Sequence, residues 1–207
     1  MIEPGKTSLE VDCVYGHSSI LGEISAEIRK GEFVSITGPN GVGKSTLIST
    51  IAGEIEPIEG TVRVACEGEE TFVDPSSPQG AGCVTSISDP AFLPDLTLGE
   101  HINLVSLRTG VGMDTLLSRL EPWRVAELPN TLPSRLSSGQ KQRANLGIQL
   151  AVAAPVVVLD EPERHLDADW TRLLCAQLRQ MAQSGFTVIV ASHSPSLIDE
   201  ADWEIRL

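Results

Sequence analysis

The chain has 207 residues, 41% of them hydrophobic and 21% charged, a balance that excludes a disordered polymer and predicts one domain with at most an insertion. Its net charge of −13 argues against binding nucleic acid or anionic lipid by bulk attraction, which needs clustered Lys and Arg. Its most apolar stretch, from Leu146 to Leu159, is interrupted by Gln149 and Pro155 and falls short of the roughly 18 apolar residues of a membrane-spanning helix.

Ser8 to Val14 alternates, with Leu9, Val11 and Cys13 on one face, and predicts a strand; a second alternating stretch runs from Ile20 to Ile28 and ends at the turn Lys30-Gly31-Glu32. Phe33 to Thr37 is a short apolar strand that runs straight into the glycine-rich Gly38 to Gly43. A helix is expected from Lys44 to about Ala52, with Gly53 at its C-terminus, and a strand at Thr61 to Ala65. Thr97-Leu98-Gly99-Glu100 fits a capping box opening a helix that carries Ile102, Val105 and Leu107. Helices are also predicted over Met113 to Leu120 and from Ser138 to about Ala153. Val156 to Leu159 is a fully apolar strand, the kind covered on both faces of a parallel sheet. An amphipathic helix over Asp169 to Gln183 puts Trp170, Leu174, Leu178 and Met181 on one face, and Phe186 to Ala191 is the next strand. Strand–helix–strand order implies right-handed crossovers and an α/β fold, with the mostly helical stretch from about residue 89 to 153 inserted into the sheet.

Met1 to Lys6 lacks the basic and apolar regions of a secretory signal. Cys13, Cys66, Cys83 and Cys175 form no C-x-x-C pair and no cluster with the four histidines. They are expected to be buried free thiols in a reducing cytosol. Residues 54 to 74 hold Glu54, Glu56, Glu59, Glu67, Glu69, Glu70 and Asp74 against Arg63 alone, and read as a solvated face.

Two segments carry chemistry. Gly38-Pro39-Asn40-Gly41-Val42-Gly43-Lys44-Ser45 matches G-x-x-x-x-G-K-[ST] between a strand and a helix. Glycines let the backbone curl so that successive N–H groups, from Gly38 through Thr46, face phosphate oxygens at a helix N-terminus. Lys44 would reach the β and γ phosphates and the Ser45 hydroxyl would hold Mg²⁺. Asp160 and Glu161 stand at the carboxyl end of the Val156 strand, where open α/β sheets bind ligands. Asp160 would hold Mg²⁺, and Glu161 would polarise an attacking water as general base.

With Leu136-Ser137-Ser138-Gly139-Gln140 and Ala191-Ser192-His193-Ser194, these motifs make the chain resemble the ATP-binding cassette (ABC) ATPases, collinearly from about Leu9 to His193. The resemblance implies a phosphate-loop NTPase core with a parallel sheet, an N-terminal antiparallel β subdomain and an inserted α-helical subdomain. The whole chain would be a single cassette, its catalytic core about 1–87 and 154–207 and its helical subdomain about 88–153. It implies ATP and Mg²⁺ as ligands, and a head-to-tail dimer, with itself or a related cassette. Each ATP would lie between the phosphate loop of one subunit and Ser137, Ser138, Gly139 and Gln140 of the other. Tyr15 matches the aromatic that stacks on adenine, His193 the histidine that contacts the γ-phosphate, and Asp167 the loop coupling the two sites. Asp167 also suits an N-cap.

One departure stands out: Ser88 occupies the position of the family's glutamine, which touches Mg²⁺ and the attacking water. The resemblance implies a subunit that hydrolyses ATP to drive transport by partner membrane subunits, on the cytoplasmic face of the cell membrane. Phe92-Leu93-Pro94 is a candidate contact for those partners. The competing readings are a soluble ABC ATPase outside transport, which the acidity disfavours for nucleic acid, and a weakly hydrolysing regulatory cassette, which only Ser88 supports.

Overall fold

Strands β1 (Thr7–Gly16) and β2 (Ile20–Arg29) pair antiparallel, Val11 facing Ala26 and Cys13 facing Ile24. The structure is a computed structural model describing residues 6–66 and 71–207. Leu9, Val11 and Cys13 are 0%, 1% and 4% exposed, so the predicted alternation is the buried face. Its reverse carries the partly or fully exposed Glu10, Asp12, Glu23 and Glu27, as expected for an antiparallel sheet with one wet side. Strands β4 (Glu59–Ala65) and β5 (Phe72–Val73) complete this sheet in the order β2-β1-β4-β5.

The second sheet is wholly parallel. It contains β3 (Phe33–Thr37), β6 (Val84–Ile87), β7 (Val156–Asp160), β8 (Thr187–Ala191) and β9 (Trp203–Arg206), in the order β6-β7-β8-β3-β9. Strands β3 and β8 are buried at every position and β7 at all but Asp160, which is why they read as unbroken apolar runs. Both edge strands alternate or are partly exposed and go unpredicted from sequence. Helix α1 (Lys44–Ile51) follows β3 and buries Leu47, Ile48 and Ile51 in the core between the sheets.

By contacts the described chain divides into two compact units. The first comprises the chain up to Ser88, Ala154–Glu161 and Leu174–Leu207, and the second Asp89–Ala153 and Pro162–Leu173. The second unit thus includes Pro162–Leu173, which the sequence analysis places in the catalytic core. The Gln142 side-chain amide donates to the Pro162 carbonyl (2.8 Å), and the Arg143 guanidinium lies 4.0 Å from the centroid of Trp170. In this unit α2 (Leu98–Thr109) opens with the expected capping box. The Glu100 N–H donates to Thr97 Oγ1 (3.3 Å), and the Thr97 N–H to Glu100 Oε2 (2.7 Å). Ile102 is buried, but Leu107 is 74% exposed and takes no part in the core. Helices α3 (Met113–Leu120) and α4 (Ser138–Ala151) complete the unit with the first residues of α5 (Ala168–Gln183). Leu174 and Leu178 of α5 are fully buried, whereas Trp170 and Met181 are only partly so. Helix α6 (Pro195–Glu200) precedes β9.

The expectation of four free thiols is corrected. Cys66 and Cys83 are joined in a disulfide with their Cα atoms 5.3 Å apart, because the chain leaves β4 and enters β6 at adjoining points. Cys13 and Cys175 are buried and lie outside this disulfide. Of the acidic stretch, Glu54, Glu56, Glu59 and Asp74 are exposed, while Glu67, Glu69 and Glu70 lie outside the described residues, as do Met1 to Gly5.

Candidate functional site

Parallel pairing in the order β6-β7-β8-β3 sets four carboxyl ends side by side in the first unit. Ser88 follows β6, Asp160 and Glu161 end β7, Ser192 and His193 follow β8, and the loop from Gly38 follows β3. Segments up to 155 residues apart in sequence therefore meet on one edge, neighbouring strands being about 4.8 Å apart.

The glycine loop has the positive-φ backbone that only glycines adopt freely: φ is +149° at Gly38, +80° at Gly41 and +111° at Gly43. A Cβ at Gly43 would stand 3.1 Å from a Tyr15 ring carbon and 3.3 Å from Leu21 Cβ, so the loop has no room for a side chain there. Pro39 has no N–H; it acts through its carbonyl, which accepts from Val42 N–H (3.4 Å) and from Lys44 Nζ (3.1 Å). Lys44, 5% exposed, also donates to the Gly38 carbonyl (2.9 Å) and so bridges the loop it belongs to. Gly43 caps α1 without a side chain, leaving the helix start to the backbone N–H groups of Lys44, Ser45 and Thr46. Asn40, Gly41 and Ser45 are exposed beside them.

Glu161 is one of three non-glycine residues with positive φ (+44°) among the described residues. Its N–H donates to the Ala191 carbonyl (2.8 Å), which ties the end of β7 to β8. This turns its side chain to within 3.9 Å of His193, Oε1 to Nε2. A glutamate held at positive φ is a costly backbone arrangement, and such strain clusters at sites of chemistry. The oxygen donors Ser45 and Asp160 are of the kind Mg²⁺ takes together with phosphate oxygens and water.

Tyr15, expected to stack on adenine, lies in the hydrophobic core. Its ring is 2% exposed and packs in the core beneath Gly22 and Gly43, with burial and then Cys13 pushing its phenol above the ordinary tyrosine value. Neither face of the ring is open to a base. The apolar surface beside the loop belongs instead to Ile20 (65% exposed) and Leu21 (42%), at the start of β2. In sequence they pass for ordinary strand residues, two bulky aliphatics at the exposed end of a hairpin.

In the second unit Ser137 and Gln140 form a reciprocal cap on α4. Gln140 N–H donates to Ser137 Oγ (3.2 Å), and Ser137 N–H to Gln140 Oε1 (2.9 Å). Their side chains are thus spent on the helix, and the first-turn N–H groups of Ser138 and Gly139 are left to face an anion. A Cβ at Gly139 would come 2.9 Å from the His165 carbonyl, where His165 itself has φ +65°. Asp167 Oδ1 accepts from the N–H groups of Asp169 and Trp170 (3.0 Å each) and caps α5 as expected. Phe92 packs edge-on against His101 (5.2 Å between centroids), and Leu93, whose N–H donates to His101 Nε2 (2.9 Å), is 53% exposed.

The ABC transporter family model matches residues 21–164, and the chain belongs to that family. An uncharacterised ABC transporter ATP-binding protein of Mycobacterium tuberculosis is 32% identical over 200 residues, 91% of this chain and 79% of that one. A putative ABC transporter ATP-binding protein of Methanosarcina acetivorans is 29% identical over 93% of this chain, which spans only 37% of that protein's length. Among solved structures, a dimeric ATP-binding cassette in a post-hydrolysis state with ADP and Pi superposes with a TM-score of 0.82 at 24% identity, over 96% of this chain and 94% of the other. The fold is that of the α/β phosphate-loop cassettes. Among the described residues no helix is long and apolar enough to cross a membrane.

Proposed function

We propose that the chain is a single ATP-hydrolysing cassette that powers transport by partner membrane subunits, working as a head-to-tail dimer at the cytoplasmic face of a membrane. The observation that carries this reading is the gathering of Lys44, Asp160, Glu161 and His193 on adjacent carboxyl ends of one parallel sheet. Family membership and the names of its relatives support it.

In this reading the loop N–H groups from Gly38 to Thr46 and the start of α1 bind the phosphates. Lys44 gives up the Gly38 and Pro39 carbonyls for β and γ oxygens. Ser45 and Asp160 would hold Mg²⁺, which when bound offsets phosphate charge. Glu161 orients the attacking water and takes its proton, and His193 donates to the γ-phosphate. The Ser138 and Gly139 N–H groups of the second subunit complete the phosphate shell, with Ser137 and Gln140 holding that helix start in shape. The adenine lies on Ile20 and Leu21. Leu93, Leu104 and Leu107, exposed on the second unit, suit an apolar membrane partner.

Glu161→Gln tests the reading. Hydrolysis should fall by about a hundredfold or more, as expected for loss of a general base, while ATP binding persists and an ATP-bound dimer accumulates in light scattering. A variant that keeps hydrolysing, or that stays monomeric at saturating ATP, overturns it.

A further inference from the structure

Cys66 immediately follows β4 of the antiparallel sheet, and Cys83 immediately precedes β6, the edge of the parallel sheet. Their disulfide is therefore a covalent tie between the two sheets. β6 has only four residues and a single strand neighbour, β7. Its amino end is anchored at Cys83, whose carbonyl accepts from Val156 N–H (3.2 Å) and whose N–H donates to Gly80 (2.9 Å). Its carboxyl end delivers Ser88 beside Asp160 and Glu161.

We propose that Cys66 and Cys83 form a reversible thiol–disulfide exchange site, open to low-molecular-weight thiols and disulfides, whose state sets how firmly β6 holds the Ser88 end of the site. Two observations make both states accessible. Cys66 is partly exposed while Cys83 is 7% exposed, so an incoming thiolate reaches the Cys66 sulfur. The Gln79 carbonyl lies 3.8 Å from Cys66 Sγ and 3.4 Å from Cys83 Sγ, an acceptor already in place for either S–H once the bond opens.

The exchange balances. A small thiolate attacks Cys66 Sγ, the protein S–S bond breaks, and its electron pair leaves on Cys83 Sγ, which takes a proton. A second small thiolate attacks the outer sulfur of the mixed disulfide and releases Cys66 as a thiol. Two external thiols become one external disulfide, and the protein disulfide becomes two thiols; the reverse closes the tie. Cys13 and Cys175 are buried and lie outside the disulfide, and they serve as internal controls. Cytosolic disulfides are more often regulatory than structural, which suits this chemistry.

The exchange itself is independent of the proposed ATPase activity; only its effect on turnover rests on that reading. With the tie open, β6 keeps its backbone pairs with β7 alone. The carboxylate edge is then less well ordered, while the phosphate loop on β3 is two strands beyond β7 and is unaffected.

The full chain is equilibrated in glutathione buffers of stepped redox poise, quenched with an alkylating reagent and mapped by mass spectrometry, with turnover, ATP affinity and hydrogen exchange of residues 84–87 measured in parallel. Cys66 and Cys83 should become alkylated together across one two-electron transition. Reduction should speed exchange in β6 and lower kcat by about threefold through lost preorganisation, with the Kd for ATP unchanged. The Cys66→Ser, Cys83→Ser double variant should sit at the reduced-state kcat and ignore poise. Alkylation of both residues at every poise overturns the exchange site. A clean transition with no change in β6 exchange or kcat overturns its control of the site. An absence of ATPase activity at all poises would count against the cassette reading, while the alkylation map and hydrogen exchange would still decide the exchange site and its hold on β6.

Discussion

At the scale of the residue, Tyr15 is buried where the pair Ile20–Leu21 is exposed. Tyr15 precedes a glycine at the end of a strand, where an exposed aromatic would serve a base, yet its ring fills the space under Gly22 and Gly43. Ile20 and Leu21 keep large apolar surfaces in water beside the phosphate loop, which is unfavourable unless something covers them. Replacing both by serine should weaken ATP binding by about tenfold, the loss of roughly 1.4 kcal/mol of apolar contact, and leave the affinity for inorganic tripolyphosphate unchanged. Calorimetric titration with the two ligands checks this; an equal loss for both would place the defect in the loop rather than under the base. Glu161 illustrates the opposite case. Its identity as the acid after an apolar strand was legible, but its left-handed backbone and its approach to His193 were not, because both follow from the hydrogen bond to Ala191 on another strand.

At the scale of the element, the interior strands and the capped helices were legible and the edges were not. β3, β7 and β8 are buried on both faces and so must be apolar throughout, whereas β6 and β9 satisfy one neighbour and the solvent and show no such run. α2 and α4 announce themselves through Thr97/Glu100 and Ser137/Gln140, since a cap is a local device written within four residues. Within α4, Gly147 shows where propensity yields to packing. Alanine is worth roughly 1 kcal/mol more than glycine in a helix interior. A Cβ there, however, would lie 2.9 Å from the Trp123 ring, which is 2% exposed. Gly147→Ala should therefore destabilise the protein by about 1–2 kcal/mol, the usual cost of overpacking a core. Denaturant titration followed by tryptophan fluorescence reads it, and a more stable variant would show that Trp123 repacks freely.

At the scale of the whole molecule, the net charge of −13 becomes a property of assembly. Two such chains repel each other, and salt screens that repulsion: the Debye length shrinks from about 30 Å to about 10 Å between about 0.01 and 0.1 M salt. The ATP-bound dimer of the Glu161→Gln variant should accordingly tighten by several-fold over that range in analytical ultracentrifugation. Dissociation on adding salt would mean that charge complementarity at the interface outweighs the overall repulsion.

The sequence by itself determined the phosphate loop, the carboxylate pair, the capped helices, the α/β class and the family likeness, because each is recorded in residues that are neighbours along the chain. Only the tertiary structure decided that Cys66 and Cys83 meet, that Tyr15 is buried while Ile20 and Leu21 are not, and that Pro162–Leu173 packs with the helices. Each of those depends on segments far apart in sequence being brought together by strand order and packing, and no local pattern encodes that distance.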